Sequence, residues 1–178
     1  MIATHIQILA LSLLLGLPAM AERTMEIRLL HVTGDAPDDK MLHRLVDDPG
    51  AQAVAKFEAA VGARGAVEIK RVTPYRYPSE YTATGEPSAF EKRELGLSGS
   101  GTIADEEAGT ARVKIDLLST LLRAPRVYEV KGTQVFMPVF TQVTSPSGEL
   151  SVRPGEWSFM KRQIGEETYF WAIRLNNQ

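Results

Sequence analysis

The clearest pattern along the chain is an alternation of apolar and polar residues, which is typical of half-buried β-strands. At the start of this pattern, Met25, Ile27 and Leu29 alternate with Glu26 and Arg28. Turn residues rich in glycine, proline and aspartate separate the later segments that alternate in the same way. The pattern predicts strands over residues 25–32, 66–73, 95–103, 112–118, 126–130, 134–143, 150–153, 157–164 and 168–175.

Two segments between the first two strands have helical rather than alternating spacing. In the first, Met41, Leu42, Leu45 and Val46 share one face, and an aspartate at 38 or 39 can cap the helix. In the second, Val54, Phe57 and Val61 recur at i, i+3 and i+7 among alanines, until Gly62. We therefore predict two short helices, each with one apolar stripe that needs a sheet to cover.

The order of these elements defines the expected fold class. An N-terminal strand, two short helices and a mostly antiparallel multi-stranded sheet make an α+β plan. The last strand has Tyr169, Trp171, Ile173 and Leu175 on one face and Phe170 on the other, so it is expected to be buried on both faces near the centre of a sheet. We interpret residues 22–178 as one domain.

The stretch Tyr75–Gly96 interrupts two predicted strands and concentrates aromatic residues. We expect a polar loop here, with a Tyr-Pro step before it and Phe90 leading into the next strand. Aromatic residues on loops are common at protein interfaces, but a tyrosine at a strand end also packs against a core edge while its hydroxyl stays in water. Both roles stay open for the candidate interaction or structural residues, which are Tyr75, Tyr77, Pro78, Tyr81, Phe90 and Gly96.

The first 21 residues have the features of a secretory signal peptide. Ile6–Leu17 is an almost unbroken apolar run, and Ala19-Met20-Ala21 supplies the small residues that signal peptidase requires. The run is shorter than the roughly 20 residues needed to span a bilayer. We therefore predict export, with cleavage after Ala21.

Charge and cysteine content exclude several classes of function. All 20 basic and 22 acidic side chains lie after residue 21, so the expected mature chain keeps a net charge of −2. This balance does not favour nucleic acid as a partner, although membrane association stays open. The chain has no cysteine, which excludes a disulfide scaffold and thiol chemistry.

The candidate metal-binding and catalytic residues do not have the spacing that known motifs require. His31 and His43, with Asp35, Asp38 and Asp39 between them, could in principle bind zinc or manganese. A strand end and helix caps explain these residues better, because no metal-binding spacing such as His-Glu-x-x-His occurs. Gly96-Leu-Ser-Gly-Ser departs from the nucleophile-elbow motif at its fifth residue. We therefore predict no catalytic residue, cofactor or metal.

The order of several segments resembles the C-terminal homology domain of bacterial secretins, the type II and III secretion system proteins. No single motif carries the resemblance, which spans about Met25 to Leu175. The segments that carry it, besides the strand and helix that precede them, are Tyr77–Tyr81 (Tyr-Pro-Ser-Glu-Tyr), Phe90–Arg93 (Phe-Glu-Lys-Arg) with the glycine-containing strand after it, Met137–Phe140 (Met-Pro-Val-Phe), Glu149–Trp157 and Glu167–Leu175. The resemblance implies a secretin-homology-like fold and, together with the predicted export, a location in the periplasm or outer membrane of a bacterium.

Departures from the family limit what the resemblance implies about transport. Ser158–Lys161 stands where the family has a Gly-Gly pair, and the loop that follows is reduced to about residues 162–166. The sequence also has no counterpart of the periplasmic modules of a full secretin. We expect a non-enzymatic, secretion-associated protein that binds a protein partner or itself in the cell envelope. The alternatives are a free-standing periplasmic binding module and a hydrolase with an unrecognised site.

Overall fold

A computed structural model describes residues 23–33, 37–48, 53–105 and 109–177. The predicted signal peptide, residues 1–21, lies outside the described residues. The elements are β1 (Arg23–Val32), α1 (Asp39–Asp47), β2 (Ala53–Ala60), a short 3-10 turn (Ala63–Gly65), β3 (Ala66–Tyr81), β4 (Pro87–Asp105), β5 (Ala111–Val130), β6 (Thr133–Thr144), β7 (Glu149–Val152), β8 (Ser158–Ile164) and β9 (Glu167–Asn177).

The strands form two antiparallel sheets. The first sheet has the order β2-β1-β9-β8. The second has the order β3-β4-β5-β6, and β7 pairs with the first residues of β5. The protein is therefore β-rich, and the coarse expectation of a mostly antiparallel sheet is confirmed.

The main core lies between the two sheets. Alternating residues of β1 and β9 point into it, among them Met25, Ile27 and Trp171, and they meet Val113 and Leu117 of β5. These side chains are fully buried. The prediction for the last strand is confirmed, because β9 is buried on both faces and lies between β1 and β8.

Helix α1 covers the opposite face of the first sheet. Its buried residues Leu42 and Val46 pack against Leu30, Phe170 and Trp157. The side chain of Asp38 caps the helix by accepting a hydrogen bond from the backbone N–H of Met41 at 2.7 Å. The first predicted helix is therefore confirmed, and the layers run in the order helix, sheet, sheet.

The second predicted helix is wrong. Residues 53–60 form strand β2, which pairs with β1 along its whole length. Ala55, Phe57, Ala59 and Val61 pack against the main core, so the segment also alternates at a period of two. Pairing with β2 satisfies the backbone groups of β1 that do not face β9, and this outweighs the helical preference of the alanines.

The predicted loop over Tyr75–Gly96 is also wrong in its extent. Strand β3 continues to Tyr81 and β4 begins at Pro87, so only residues 82–86 form the turn. Pro74 and Pro78, which the sequence pattern places at or after the end of a strand, lie within β3. Proline is compatible with a strand when the strand lies at a sheet edge, and β3 is an edge strand.

Strand β5 is longer than either of the two strands predicted for that region. It runs for 20 residues and joins the predicted segments 112–118 and 126–130. Its pairing with β6 is irregular between Arg123 and Arg126, where Pro125 lies. Because a bulge accommodates a proline without ending the strand, β5 continues past the point where the sequence indicates a break.

Candidate functional site

The second sheet divides into two ribbons at one end. Strands β4 and β5 pair only through residues 96–105 and 111–120. Beyond that point β4 pairs with β3 alone, and β5 pairs with β6 alone. We call residues 73–95 and 121–142 together the forked arm. Each ribbon runs for about 30 Å along its strands, at about 3.3 Å per residue.

Aromatic side chains hold the two ribbons against each other. Phe140 of β6 contacts Tyr75 and Tyr77 of β3, with ring centroids 6.2 and 5.0 Å apart. The guanidinium of Arg93 lies 4.6 Å from the centroid of the same phenylalanine. The hydroxyl of Tyr81 donates a hydrogen bond to the backbone carbonyl of Phe136 at 2.9 Å. The ribbons therefore form one packed unit.

Tyr77 is the most buried aromatic residue of the forked arm. It is 8% exposed, and its hydroxyl donates a hydrogen bond to a carboxylate oxygen of Glu91 at 2.8 Å. This hydrogen bond, together with burial and the negative charge of Glu91, raises the pKa of Tyr77 above its usual value. The tyrosine therefore stays neutral and ties β3 to β4 inside the arm.

The forked arm also concentrates exposed apolar side chains. Among the described residues, seven large hydrophobic side chains are exposed, and five of them lie on the arm. Val127 and Phe136 face each other across the β5–β6 ladder, and both are 52% exposed. The other three on the arm are Phe90, Leu122 and Tyr128. Val127 and Phe136 share one face of the β5–β6 ribbon, whereas Tyr128, which follows Val127, points to the other face. Exposed apolar side chains that are concentrated in one region are typical of surfaces that contact another protein or a membrane.

The structure places five of the six candidate residues from the sequence on the arm. Tyr75, Tyr77 and Tyr81 face the β6 ribbon, as described above. Pro78 lies opposite Phe90 on β4, and Phe90 is 49% exposed with the guanidinium of Arg76 4.3 Å from its centroid. Three tyrosines therefore hold the arm together, and Phe90 forms part of its exposed surface.

Gly96 lies where the ribbons separate, and it has a purely structural role. Its φ is +117°, and a Cβ atom at this position would lie 2.2 Å from the carbonyl oxygen of Arg71. The strands can approach this closely only because residue 96 has no side chain.

Sequence reasoning missed four of the five exposed large apolar side chains of the arm, which are Leu122, Val127, Tyr128 and Phe136. It also missed Phe140, whose ring packs between the ribbons. All five belong to the β5–β6 ribbon, for which the sequence predicts only ordinary strands and a break around Leu122. The available signal was that residues 134–140 have apolar side chains at both odd and even positions. A strand that is apolar on both faces exposes apolar side chains unless both faces are covered. Strand β6 has only one face covered there, so Val135 is buried and Phe136 is exposed.

A network of polar side chains joins the base of the arm to the first sheet. Arg123 of β5 donates hydrogen bonds to Glu167 and to the hydroxyl of Tyr169, both on β9, and to Thr141 at 3.2 Å. The Tyr169 hydroxyl donates to Glu167 at 2.5 Å, and the His31 ring stacks on the Tyr169 ring at 4.9 Å. We call these five residues the arm joint.

The arm joint changes the acidity of two of its members. The hydrogen bond from Tyr169, together with the nearby charge and hydrogen bond of Arg123, holds the pKa of Glu167 below its usual value. Burial, together with the hydrogen bond to Glu167, raises the pKa of Tyr169 to about 12. At neutral pH the joint therefore holds a carboxylate, a guanidinium and a neutral phenol.

A second charged cluster lies on the face of the first sheet that α1 partly covers. Glu26 is 6% exposed and accepts hydrogen bonds from Arg28 and Arg174, at 2.7 and 2.6 Å, while the Lys56 ammonium lies 3.3 Å away. Both guanidinium groups lie over the ring of Trp157, 4.8 and 4.4 Å from its centroid. Burial alone would raise the pKa of Glu26, but these three cations lower it overall.

An open groove with a volume of about 920 Å³ runs along β3 and β4. It is lined by Ala60 at the end of β2, by Gly62, by residues 66–70 of β3, and by Glu94 and residues 98–101 of β4. The β4 segment reads Ser-Gly-Ser-Gly, so the wall is formed by hydroxyl groups and backbone rather than by large side chains. This groove lies on the body of the protein, apart from the exposed apolar side chains of the arm.

His31 and His43 do not come together. His31 belongs to the arm joint, 3.7 Å from Glu167, whereas His43 on α1 packs edge-on against Phe159. Asp35 lies outside the described residues. In the described ranges there is no group of three or more histidine, aspartate and glutamate side chains that could hold a metal ion. Those ranges also contain no helix with the length and apolar character that crossing a membrane requires.

Comparison with known proteins gives no relative. No protein-family model, no curated protein and no solved structure matches the chain. The resemblance to secretin homology domains therefore stays a prediction, and the function must be argued from the surfaces described above.

Proposed function

We propose that the protein is an exported, non-enzymatic component of the bacterial envelope that binds another protein through the forked arm. One observation carries the proposal: five of the seven exposed large hydrophobic side chains in the described part of the chain lie on this arm. Apolar area that is removed from water on binding contributes about 25 cal/mol per Å². A partner that covers one apolar face of the arm, such as the face with Val127 and Phe136, therefore gains affinity.

The internal packing of the arm supports this role. Phe140, Tyr75 and Tyr77 hold the two ribbons in one arrangement before any partner arrives. A preorganised surface loses less conformational freedom on binding than a flexible one. Tyrosine, phenylalanine and arginine are also the residue types enriched at the centres of protein interfaces, and Arg76 lies beside Phe90 at this surface.

The secretin resemblance and the predicted signal peptide support an envelope setting for this contact. In this proposal the protein is a secretion-associated component, and the arm docks it onto a larger envelope protein or onto further copies of itself. The arm joint fixes the arm relative to the first sheet, so that docking also positions the body of the protein.

A second candidate function rests on the groove beside β3. A free-standing periplasmic binding module would use this groove, whose volume of about 920 Å³ and small residues could admit an extended ligand. The two candidates place the contact on different surfaces, and this difference separates them by experiment.

The experiment is site-specific photo-crosslinking in the bacterium that produces the protein. A photoreactive residue replaces Phe136 on the arm, Ser100 in the groove or Met41 on α1, which is exposed but far from both surfaces. The arm proposal expects a crosslinked band of one defined mass from position 136 and none from position 41.

The same crosslink is then measured with Val127→Glu, which places a charge directly opposite position 136. We expect the crosslink to fall at least tenfold in this variant, while Val54→Glu on β2 leaves it unchanged. Crosslinking from position 100 alone would favour the binding module. Equal crosslinking from all three positions would refute a dedicated surface on the arm.

A further inference from the structure

The free edge of β3 has the backbone groups and the charge pattern to pair with a second copy of the chain. Strand β3 pairs with β4 on one side, and no strand among the described residues pairs with its other side. An unpaired strand edge presents N–H and C=O groups that can pair with another strand. This surface lies on the body of the protein and is distinct from the forked arm.

The direction of the backbone groups along β3 follows from three observations. The carbonyl of Ala66 accepts a hydrogen bond at 2.8 Å from the N–H of Gly62, which lies outside the sheet. The carbonyl oxygen of Arg71 instead approaches Gly96 of β4. Pro74 and Pro78 have no N–H to donate to β4, yet the ladder continues through both. Even-numbered residues therefore direct their polar backbone groups to the free edge.

The two prolines divide this edge into two parts. At Pro74 and Pro78 the outward N–H is missing, so the part of β3 in the arm is poorly suited to pairing. On the body, Glu68, Lys70 and Val72 keep both outward groups. The segment that can pair is therefore short, and it lies in the middle of the protein.

Part of this edge borders a groove. The groove has a volume of about 260 Å³ and lies between residues 58–60 of β2 and residues 68–71 of β3. The larger groove described above lies over the face of the β3–β4 ribbon, because residues 66–70 of β3 and residues 98–101 of β4, which pair with β3, line it. The side chains of Glu68 and Lys70 are exposed here, next to the buried Val67 and Ile69.

We propose that two copies of the protein pair through β3, antiparallel and around a twofold axis at Ile69. In this register Glu68 lies opposite Lys70 of the second copy, and Lys70 lies opposite its Glu68. Both pairs are hydrogen-bonded positions, because even-numbered residues face the edge, so they exchange four backbone hydrogen bonds. Opposite charges directly across a ladder stabilise it, and like charges destabilise it.

The neighbouring registers are less favourable. A twofold axis at Lys70 places the two Lys70 ammonium groups opposite each other. An axis at Arg71 places Glu68 opposite Pro74, which has no N–H to exchange. An axis at Glu68 would place the two Glu68 carboxylates opposite each other. The charges and the proline therefore favour the axis at Ile69, and this self-complementary pairing favours a second copy of this chain as the occupant of the edge.

Engineered cysteines test the register directly, because the natural chain has none. Opposite Cα atoms in a hydrogen-bonded pair are about 5.5 Å apart, within the range of a disulfide, whereas diagonal neighbours at about 7–8 Å are not. The protein is produced with its own N-terminal segment in an exporting bacterium and mildly oxidised. We expect a covalent dimer from Glu68→Cys mixed with Lys70→Cys, and none from either variant alone.

Charge reversal provides a second, independent test by sedimentation velocity over a range of concentrations. We expect Lys70→Glu to raise the dimer dissociation constant at least tenfold, and the double variant E68K/K70E to restore it, because the swapped charges again face each other. Lys161→Glu on β8 is the matched control and leaves the constant unchanged.

Several outcomes would overturn the proposal. The natural protein could be a monomer at all concentrations, or Lys70→Cys alone could form a disulfide dimer. The double variant E68K/K70E could also fail to recover the dissociation constant of the natural protein. Association that Phe136→Glu abolishes and Lys70→Glu leaves intact would assign self-contact to the arm and also refute pairing through β3.

Discussion

Arg123 of β5 and Glu167 of β9 form an ion pair that joins the base of the forked arm to the opposite sheet. The two residues are 44 positions apart, and each belongs to a different sheet. Tyr169 completes the contact by donating a hydrogen bond to the same carboxylate oxygen. The angle between arm and body therefore depends on a small set of polar contacts rather than on the core alone.

We expect Arg123→Met to lower the free energy of unfolding by about 1 kcal/mol. The variant keeps the apolar part of the side chain but removes the guanidinium that donates hydrogen bonds to Glu167, Tyr169 and Thr141. The loss is modest because Arg123 is partly exposed. Urea unfolding followed by circular dichroism measures the change. Arg126→Met, past the irregularity in β5, is the control and should change the free energy by less than about 0.5 kcal/mol. Equal effects of the two variants would contradict a structural role for the joint.

Acid should destabilise the protein through Glu26. Its pKa is lower in the folded state than the unfolded value of about 4.3, so the folded state binds fewer protons near that pH. This contribution to stability is present above the unfolded pKa and is lost as the pH falls through the folded pKa. We expect Glu26→Gln to be less stable at pH 7 and to lose less stability on acidification.

Urea unfolding at several pH values between 7 and 3 tests this expectation. Glu80→Gln, which changes an exposed glutamate of the arm, should retain the acid dependence of the natural protein. If Glu26→Gln loses stability with pH as steeply as the natural protein does, the cluster around Trp157 is not a source of acid sensitivity.

Gly96→Ala should destabilise the protein by about 3 kcal/mol. The added Cβ would lie 2.2 Å from the carbonyl oxygen of Arg71, so the backbone of β3 or β4 must move, and the positive φ adds strain. Gly132→Ala separates the two effects, because Gly132 also has a positive φ but nothing within 4 Å of its added Cβ. That control should cost about 1 kcal/mol, and thermal unfolding compares the two. Equal losses would show that the close approach of the strands is unimportant.

Phe140→Ala should loosen the arm while the body stays folded. Its ring contacts Tyr75, Tyr77 and Arg93 from the other ribbon, so its loss removes the main contact between the ribbons. We expect faster amide hydrogen exchange in residues 73–81 and 133–142, with unchanged exchange in β1 and β9. Phe136→Ala, which changes a half-exposed ring, should leave these rates nearly unchanged. Uniformly faster exchange across the protein would contradict a separate packing unit.

Much of the body follows from the alternation of apolar and polar residues. Strands β1 and β9 were predictable because their apolar residues recur at every second position, and α1 was predictable from its spacing and its cap. Strand β2 was not, because Val54, Phe57 and Val61 fit a helix while Ala55, Phe57, Ala59 and Val61 fit a strand. Alanine is compatible with the apolar face of either a helix or a strand. The backbone pairing with β1, which the sequence pattern does not show, therefore decides between them.

Most of the arm could not be predicted from the sequence, because prolines within its strands are normally interpreted as the ends of strands. Pro74, Pro78 and Pro125 each mark a break by local rules, yet each lies where an edge or a bulge removes the need for its N–H. The sequence indicated one ribbon of the arm through its aromatic cluster, which is Tyr75, Tyr77 and Tyr81. Its partner ribbon could not be inferred, since the contact of Phe140 with two tyrosines depends on the path of strands more than 60 residues apart.

The continuity of β4 and β5 through body and arm determines how a mechanical load on the arm would be carried. Both strands run without interruption from the arm into the middle of the second sheet. A partner that pulls on one ribbon alone, while the body holds the other, would therefore load the ten paired positions between residues 96–105 and 111–120 in shear, all at once. A ladder loaded in shear must break many hydrogen bonds together, whereas a ladder that is peeled breaks them one at a time. The arm is thus built into the sheet as a tensile element rather than attached to its surface.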